Sequence, residues 1–458
     1  MNVLNIPQCW ITSPLSSLIS TDGLISDGDW VESKDQDPEG VVRLIQLADI
    51  GDGDFRNKSN RYMSHEKANA LRCTYLKEGD VLVARMPDPL GRACIFPGIN
   101  QDAVTVVDIC LIRTSHNSAI TNKLLKYWIN SPIIRNQIEL NATGTTRKRI
   151  TRKKLEEFLL PLPPMAEQQL IVDKLDNLLS QVESIKARLE RIPEILKQFR
   201  QSVLAAAVSG KLTKDLERGV WKELKLEAVA SNIVDCPHST PKWSESGKYC
   251  VRTTGFNPFY LDLSQQGFVS DEVYQERIQR LEPKPNDILY SREGTVGIAC
   301  QIPDGVELCL GQRMVLIRAG ESCNSKYLTM VLNSDHILSI VRSMTIGSTA
   351  PRVNMKDIRN YPIPIPTMDE QNEIVLRVER LFRSIEVIGE QVQSTLERVN
   401  NLTQSILDKA FRGELTVEWR KANPDLISGE NSAEALLERI KAERTSVKSA
   451  TKRARAKT

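Results

Sequence analysis

Residues 165–212 read MAEQQLIVDKLDNLLSQVESIKARLERIPEILKQFRQSVLAAAVSGKL, and apolar side chains recur in this stretch in alternating steps of four and three. This heptad spacing is typical of a helix whose apolar side faces another helix. A helix over the apolar positions would be roughly 50 Å long at about 1.5 Å per residue. These positions, called the seam below, are Ile171, Leu175, Leu178, Val182, Ile185, Leu189, Ile192, Leu196, Phe199 and Val203.

The same stretch occurs a second time, 203 residues later in the chain. Nine of the ten seam positions are again apolar, and the flanks repeat because Glu167 and Gln168 become Glu370 and Gln371. The second seam is Ile374, Val378, Leu381, Ile385, Ile388, Val392, Thr395, Val399, Leu402 and Ile406. We therefore predict two long helices that bury each other's seams in a coiled coil. The alternative is that each helix packs only on its own globular domain.

The ends of both long helices are marked in the sequence. Each helix follows a Pro-x-Pro segment and precedes a glycine, Gly210 or Gly413, at a typical C-cap position. Pro193 lies inside the first helix, where the second has Leu396. Because proline lacks a backbone donor and crowds the carbonyl four residues earlier, we predict a kink near Leu189, without a break.

The regions before the two helices also resemble each other, although less closely. Residues 79–85 (GDVLVAR) resemble residues 286–292 (NDILYSR), and both regions contain short apolar runs broken by turn residues, which predict short strands. The predicted fold class is therefore α+β, a tandem repeat of one mixed α/β domain and one long helix. The predicted segments are a first domain (1–155), a first long helix (156–212), a second domain (213–360), a second long helix (361–416) and a C-terminal segment (417–458).

In the C-terminal segment, residues 432–444 form a predicted helix whose Ala435, Leu436, Leu437 and Ile440 supply a small apolar face. The last eleven residues carry five positive and no negative charges, and we predict a disordered tail there. A solvated chain end is favoured over a dedicated DNA contact for this tail.

The composition excludes several classes of protein. The nine cysteines form no close pair with metal-ligand spacing, which indicates a reduced, cytoplasmic protein without a zinc site. The sequence shows no signal-peptide pattern and no apolar run of about 20 residues, so we expect neither export nor membrane insertion. The formal net charge of +3 neither supports nor excludes DNA binding.

The sequence offers no convincing catalytic motif. Residues 257–260 (NPFY) are similar to the Asn-Pro-Pro-Tyr segment of adenine methyltransferases, but the third residue differs and no glycine-rich loop accompanies them. They align with a turn in the first domain. The four histidines lack metal-ligand spacing. We predict that this chain has no catalytic residue, metal site or cofactor.

Candidates for DNA contact are more numerous. Arg147, Lys148 and Arg149 form a dense positive cluster before the first long helix, for which the alternative is a solvated charge run. Four arginines end or interrupt apolar strands, as base-reading arginines can, although a buried salt bridge explains them equally well. These four are Arg43, Arg85, Arg252 and Arg292. The last candidate is Arg352, which corresponds to Arg149 in the second repeat.

Several motifs of the helices and the C-terminal segment resemble one known family. They are residues 161–168 (PLPPMAEQ), 199–204 (FRQSVL), 401–407 (NLTQSIL) and 410–416 (AFRGELT). In combination they resemble the specificity subunits of type I restriction-modification enzymes, and residues 419–432 look like the C-terminal region of the type IA group.

This resemblance implies two target recognition domains, each reading one half of an interrupted DNA sequence, separated by an antiparallel pair of helices. It also implies docking of two methyltransferase (modification) subunits, which methylate adenine with S-adenosylmethionine. Motor-nuclease (restriction) subunits would use ATP and Mg²⁺, so this chain would direct the reaction without performing it. The alternative is a stand-alone DNA-binding regulator, whose helices need no docking surface. The missing glycine-rich loop opposes a self-contained methyltransferase.

Overall fold

The computed structural model describes residues 5–87, 89–144, 147–216, 219–345 and 351–455, without the side chains of residues 447–455. The chain forms two compact units. The first consists of Met1–Arg188 and Thr395–Thr458, and the second of Leu189–Ser394. Each unit contains one globular domain together with part of both long helices.

In the first unit, short strands and helices precede the first long helix. The strands are β1 (Ile11–Pro14), β2 (Leu24–Asp27), β3 (Val42–Ile45), β4 (Tyr62–Met63), β5 (Val81–Ala84), β6 (Ala93–Ile95), β7 (Ala103–Thr105), β8 (Ile109–Arg113) and β9 (Leu159–Leu162). The helices are α1 (Leu15–Leu18), α2 (His65–Ala70), α3 (Asn122–Asn130), α4 (Pro132–Asn141), α5 (Arg152–Glu157) and α6 (Met165–Leu189).

The second unit has a similar order of elements. Its strands are β10 (Lys222–Lys225), β11 (Ala230–Asp235), β12 (Lys248–Val251), β13 (Phe256–Asn257), β14 (Phe259–Leu261), β15 (Gly267–Val269), β16 (Ile288–Ser291), β17 (Ala299–Gln301), β18 (Leu308–Leu310), β19 (Met314–Ala319) and β20 (Pro362–Ile365). Its helices are α7 (Ile192–Val208), α8 (Leu226–Val229), α9 (Asp271–Ile278), α10 (Ser325–Leu332), α11 (Asp335–Thr345) and α12 (Met355–Arg359). The second long helix, α13 (Met368–Phe411), begins in this unit and ends in the first.

The sheets show that the repeat extends to the globular domains. The first unit has sheets ordered β2-β8-β5-β6, β4-β3-β7 and β1-β9. The second has the corresponding orders β11-β19-β16-β17, β15-β12-β18 and β10-β20, with β14 and β13 added to the largest sheet. In both units the middle strand of the three-stranded sheet pairs antiparallel on one side and parallel on the other. The predicted tandem repeat of mixed domains is confirmed.

The two long helices run antiparallel. In the first unit, Ile171 near the start of α6 lies in the same core as Phe411 at the end of α13. In the second unit, Val203 near the end of α7 lies in one core with Ile374 near the start of α13. These cores also contain residues of the adjoining globular domains, such as Trp128 and Tyr361. The ends of the helices therefore pack both on each other and on their own domains.

The first long helix is interrupted at residues 190 and 191, between α6 and α7. Pro193, in the first turn of α7, cannot donate a hydrogen bond to the carbonyl of Leu189. The predicted position of the irregularity is confirmed, and Arg191, between α6 and α7, keeps a helical backbone conformation with φ −84° and ψ −21°. The second helix, which has Leu396 at this point, is continuous over its 44 residues.

Burial along the seams is uneven. Residues at the ends, such as Ile171, Leu175 and Val378, are fully buried. Four seam residues nearer the middle remain 42–45% exposed, because a two-stranded seam covers only one side of a long apolar residue. They are Ile185, Phe199, Ile388 and Leu402.

A buried glutamate lies at the beginning of each long helix. In the first unit, the Glu167 carboxylate accepts hydrogen bonds from Trp10 Nε1 at 2.7 Å, Thr416 Oγ1 at 2.6 Å and Arg420 Nη1 at 2.6 Å. The Arg420 guanidinium also lies over the Trp10 ring, 5.8 Å from its centre. One carboxylate thus connects the start of the chain, the first helix and the C-terminal segment.

The second unit repeats this arrangement, and the donors to its glutamate that lie in the described ranges are neutral. Glu370 accepts hydrogen bonds from Trp221 Nε1 at 3.1 Å and Thr213 Oγ1 at 2.7 Å. The glutamine that follows each glutamate bonds to backbone atoms of its own domain, Gln168 to Ala119 and Gln371 to Ser322. The repeated Glu-Gln pair therefore anchors each helix to a globular domain.

The C-terminal segment contains α14 (Val417–Ala422) and α15 (Ala433–Arg455). The predicted apolar face is confirmed, because Leu436, Leu437 and Ile440 are buried in the core of the first unit. The prediction of a disordered tail after Arg444 is wrong as far as Arg455, since the helix continues through residues rich in the good helix formers Ala, Lys and Arg. The predicted tail after Arg455 lies outside the described residues.

Candidate nucleic-acid interface

Arg85 and Arg292 occupy equivalent places, each just after the central strand β5 or β16, and only 4% and 2% of their surfaces are exposed. Arg292 Nη1 lies 2.5 Å from an oxygen of Asp235, the last residue of β11. Arg85 makes the matching ion pair with Asp27, the last residue of β2. Burial lowers the pKa of the Arg85 guanidinium, while Asp27 opposes this shift. The geometry favours the salt-bridge alternative over DNA contact for both arginines.

The positive cluster lies in the loop between α4 and α5. Arg147 and Lys148 are exposed, and Lys148 forms an exposed ion pair with Glu139 at 3.2 Å. Arg149 is half-buried, pairs with Asp108 at 3.6 Å and donates to the Val107 carbonyl. Because exposed ion pairs are weak, Lys148 can exchange its partner for a phosphate at little cost.

In the second unit, Arg352 corresponds to Arg149. It is exposed, and its Nε atom lies 3.3 Å from Glu293, the residue that also contacts Arg292. Arg352 therefore extends from a buried ion pair toward the surface, and its contact with DNA stays a prediction.

The remaining two candidates each lie over an aromatic ring. Arg43 in β3 lies 5.5 Å from the centre of the Tyr62 ring, and Arg252, directly after β12, lies 3.8 Å from that of Trp243. The sequence analysis did not identify these two rings. Tyr62 is on the strand beside Arg43, but Trp243 reaches Arg252 from a loop, and no spacing in the sequence indicates that contact.

Residues 257–260 form the turn of a hairpin between β13 and β14, the addition to the largest sheet of the second unit. Phe259 has a positive φ of 79° and packs edge-on against Phe382 of α13, with 5.3 Å between ring centres. Aromatic packing on the helix accounts for this strained residue. Within the described ranges, no group of three or more His, Cys, Asp or Glu residues is arranged to hold a metal ion. None of the described helices is long and apolar enough to cross a membrane.

One carboxylate beside the three-stranded sheet of the first unit has a shifted pKa. Burial raises the pKa of Asp29 to about 6, against the opposing hydrogen bond from the Thr74 backbone. Its folded pKa is higher than its unfolded pKa, so the folded chain loses stability as pH rises from about 4 to about 6.

We expect Asp29→Asn, which keeps an acceptor for Thr74, to raise the free energy of unfolding at pH 7 by about 1 kcal/mol after allowance for solvent screening. Below about pH 4 the two proteins should be equally stable. Urea unfolding of both proteins between pH 4 and pH 7.5 would measure the difference, and a constant difference at all pH values would contradict the shift.

The family model described as the type I restriction modification DNA specificity domain matches residues 28–194 and again 232–398. The chain belongs to this family. Each match covers most of one globular domain and most of the long helix that follows it, in agreement with the structural repeat.

Two relatives extend the similarity over most of the chain. The type I restriction enzyme EcoBI specificity subunit of Escherichia coli is 40% identical over 327 residues, covering 67% of this chain and 69% of the relative. The EcoKI specificity subunit of Escherichia coli strain K12 is 36% identical over 338 residues, covering 71% and 72%. The chain is thus a type I specificity subunit with two recognition domains.

A solved structure shows the same fold. The crystal structure of the HsdS subunit from Thermoanaerobacter tengcongensis superimposes with a TM-score of 0.61 and 21% identity, covering 89% of this chain and 98% of that chain. That structure and this chain therefore share one fold.

Proposed function

We propose that this specificity subunit recognises an interrupted, two-part DNA sequence, one half with each globular domain, and that methyltransferase subunits dock on its long helices. The observation that carries the proposal is a duplicated framework with different surfaces. The sheet orders and the Glu-Gln anchors match between the units. In contrast, the second unit adds the β13–β14 hairpin and exposes Tyr260 on it by 60%. Two different surfaces on one repeated framework suit a target with two different halves.

Large apolar residues on the long helices support the docking of partner subunits. Ile195 and Phe199 are one turn apart on α7 and are 57% and 45% exposed. Leu376 and Val387 on α13 are 58% and 47% exposed, and neither is a seam position. Neighbouring exposed apolar residues such as Ile195 and Phe199 form the kind of surface patch that marks an interaction site, whereas apolar residues exposed singly are common. A stand-alone regulator would not need such a patch.

In this proposal the chain is non-catalytic. S-adenosylmethionine would be bound by the methyltransferase subunits, and ATP with Mg²⁺ by the motor-nuclease subunits. The contribution of this chain is DNA contact, in which phosphate contacts supply salt-dependent affinity and base-edge contacts supply discrimination.

The test is genome-wide detection of methylated adenine in a host that carries the cognate methyltransferase subunit, with and without this chain. We expect an interrupted two-part motif that is methylated only when the chain is present. A methyltransferase subunit that is active with another specificity subunit, but gives no new motif with this chain, would support the regulator instead.

A domain exchange tests whether each globular domain recognises one half of the DNA target. Replacing residues 1–150 with those of a related specificity subunit should change one half of the methylated motif and leave the other half and the spacing intact. A simultaneous change in both halves would refute the assignment of one half-site to each domain.

A further inference from the structure

Arg252 has a fixed position at the edge of the second unit. It directly follows β12, and its backbone N–H donates to Gln266 Oε1 at 2.6 Å. The Gln266 side chain is in turn held by the carbonyl of Asp262 at 2.9 Å. The backbone that carries the Arg252 side chain is therefore well defined.

The side chain is also ordered, by an aromatic surface. The Arg252 guanidinium lies 3.8 Å from the centre of the Trp243 ring, close enough for stacking. The ring itself lies on the backbone of Gly267, where an added Cβ would come within 2.7 Å of two ring atoms. Space for Trp243 thus depends on the absence of a side chain at position 267. Trp243 nevertheless remains 40% exposed, so this platform faces solvent.

The donors of this guanidinium are free. Among the described residues, none forms a hydrogen bond or ion pair with the Arg252 side chain, which is exposed. Other arginines of the same unit differ, because Arg277 donates to the carbonyls of Leu310 and Gly311, and Arg318 pairs with Asp287. Arg252 therefore combines an ordered position with unused donors.

The corresponding arginine of the first unit does not share this property. Arg43 donates to Asn57 Oδ1 at 3.0 Å and to the Ser59 carbonyl, and its ring contact with Tyr62 is more distant. Both terminal nitrogens of Arg43 are thus engaged within the domain, since Nη1 also donates to the Tyr62 hydroxyl at 3.4 Å, whereas its Nε is buried without a partner in the described part of the chain. The two units therefore place an arginine at equivalent strands, and among the described residues the terminal nitrogens of Arg252 have no partner, whereas those of Arg43 do.

We propose that Arg252 reads a guanine in the second half of the DNA target and that Trp243 is its positioning residue; this rests on the function proposed above. A planar guanidinium donates two parallel hydrogen bonds to the O6 and N7 acceptors of guanine in the major groove. Stacking on Trp243 restricts the side chain before binding, which lowers the entropy lost on contact. A guanidinium also binds phosphate bidentately, but a phosphate contact weakens binding at all positions, whereas base readout affects a single position.

The test uses the full chain in complex with its methyltransferase subunits. The methylated motif of the wild-type chain is determined first, because the absence of any motif would refute the proposed function and not the role of Arg252. With the motif known, binding is measured for duplexes that differ at single base pairs of the second half-site, with the wild-type, Arg252→Ala and Arg252→Lys chains.

We expect both substitutions to reduce discrimination at one guanine position by about 5- to 150-fold, with the first half-site read as before. Lysine keeps the charge but lacks the fork, so it should not restore discrimination. Uniformly weaker binding at all positions, with a salt dependence reduced by about one ion, would show a phosphate contact and overturn the proposal. Unchanged discrimination in Arg252→Ala would also overturn it.

Trp243→Leu should weaken discrimination at the same single position, and Trp243→Tyr should restore most of it. A merely structural role would instead affect all positions of the second half-site. Arg342→Ala is the matched control, because Arg342 is an exposed arginine of the same unit that pairs with Asp335 and contacts no aromatic ring in the described part of the chain. It should leave the base preferences unchanged.

Discussion

Glu167→Ala is expected to lower the free energy of unfolding of the first unit by about 3–5 kcal/mol. Glu167 is fully buried, and its removal leaves the Arg420 guanidinium, which is only 13% exposed, without its partner. The Trp10 and Thr416 donors also lose their acceptor. The loss is therefore larger than that of a typical single hydrogen bond.

Native-state hydrogen exchange is the suitable measurement, because it reports the opening of one unit without requiring the chain to unfold in a single step. Buried amides of the first unit should exchange faster, while those of the second unit should not change. Glu370→Ala is the matched variant, and its described partners Thr213 and Trp221, both neutral, predict a smaller loss of about 1–3 kcal/mol in the second unit. Equal losses in the two variants would contradict the role given to Arg420. Glu183→Ala, on the exposed side of α6, should have no effect.

Ile195→Glu is expected to weaken binding of the methyltransferase subunit at least 30-fold, an effect of about 2 kcal/mol. Ile195 is 57% exposed on α7 and has Phe199 one turn away, so a glutamate there places a charge in the proposed apolar docking surface. Since glutamate is a good helix former, the helix itself should remain intact. Affinity can be measured by titrating the purified chain with the methyltransferase subunit.

Lys197→Glu provides the control for this substitution. Lys197 is exposed on the same helix, and its nearest acidic partner is Glu194 at 3.8 Å. Like Ile195→Glu, the Lys197→Glu substitution introduces a glutamate. It changes the charge by more, but it removes no apolar contact. If both variants bound equally weakly, charge would explain the result and the apolar surface would not.

Much of the fold could be predicted from the sequence because the two long helices repeat without insertions. Heptad spacing and helix-end signals depend on neighbouring residues, so they can be read locally. The extent of the irregularity near Pro193 was harder to predict, because the cost of a lost hydrogen bond depends on how far the backbone can bend. The tail was predicted to be disordered because of its charge, but it is helical as far as Arg455 because its residues have a high helix propensity.

The candidate interface was less predictable. Arg43, Arg85, Arg252 and Arg292 all looked alike as arginines at strand ends. Their different environments depend on residues distant in sequence, such as Asp235, which lies 57 positions from Arg292. The signal in the sequence for the buried ion pairs of Arg85 and Arg292 was the aspartate that ends β2 and β11. No such signal indicated which arginine would lie on Trp243.

The segments that form the first core determine when the first unit can finish folding during synthesis. Phe411, Ala433 and Leu436 belong to the same core as Trp10 and Trp128, so the first unit contains both ends of the chain. On the ribosome, the second unit, residues 189–394, is complete before the last part of the first unit has been synthesised. The domain that is synthesised first is therefore the last to complete its fold, because its core stays incomplete until the C-terminal helix has been synthesised.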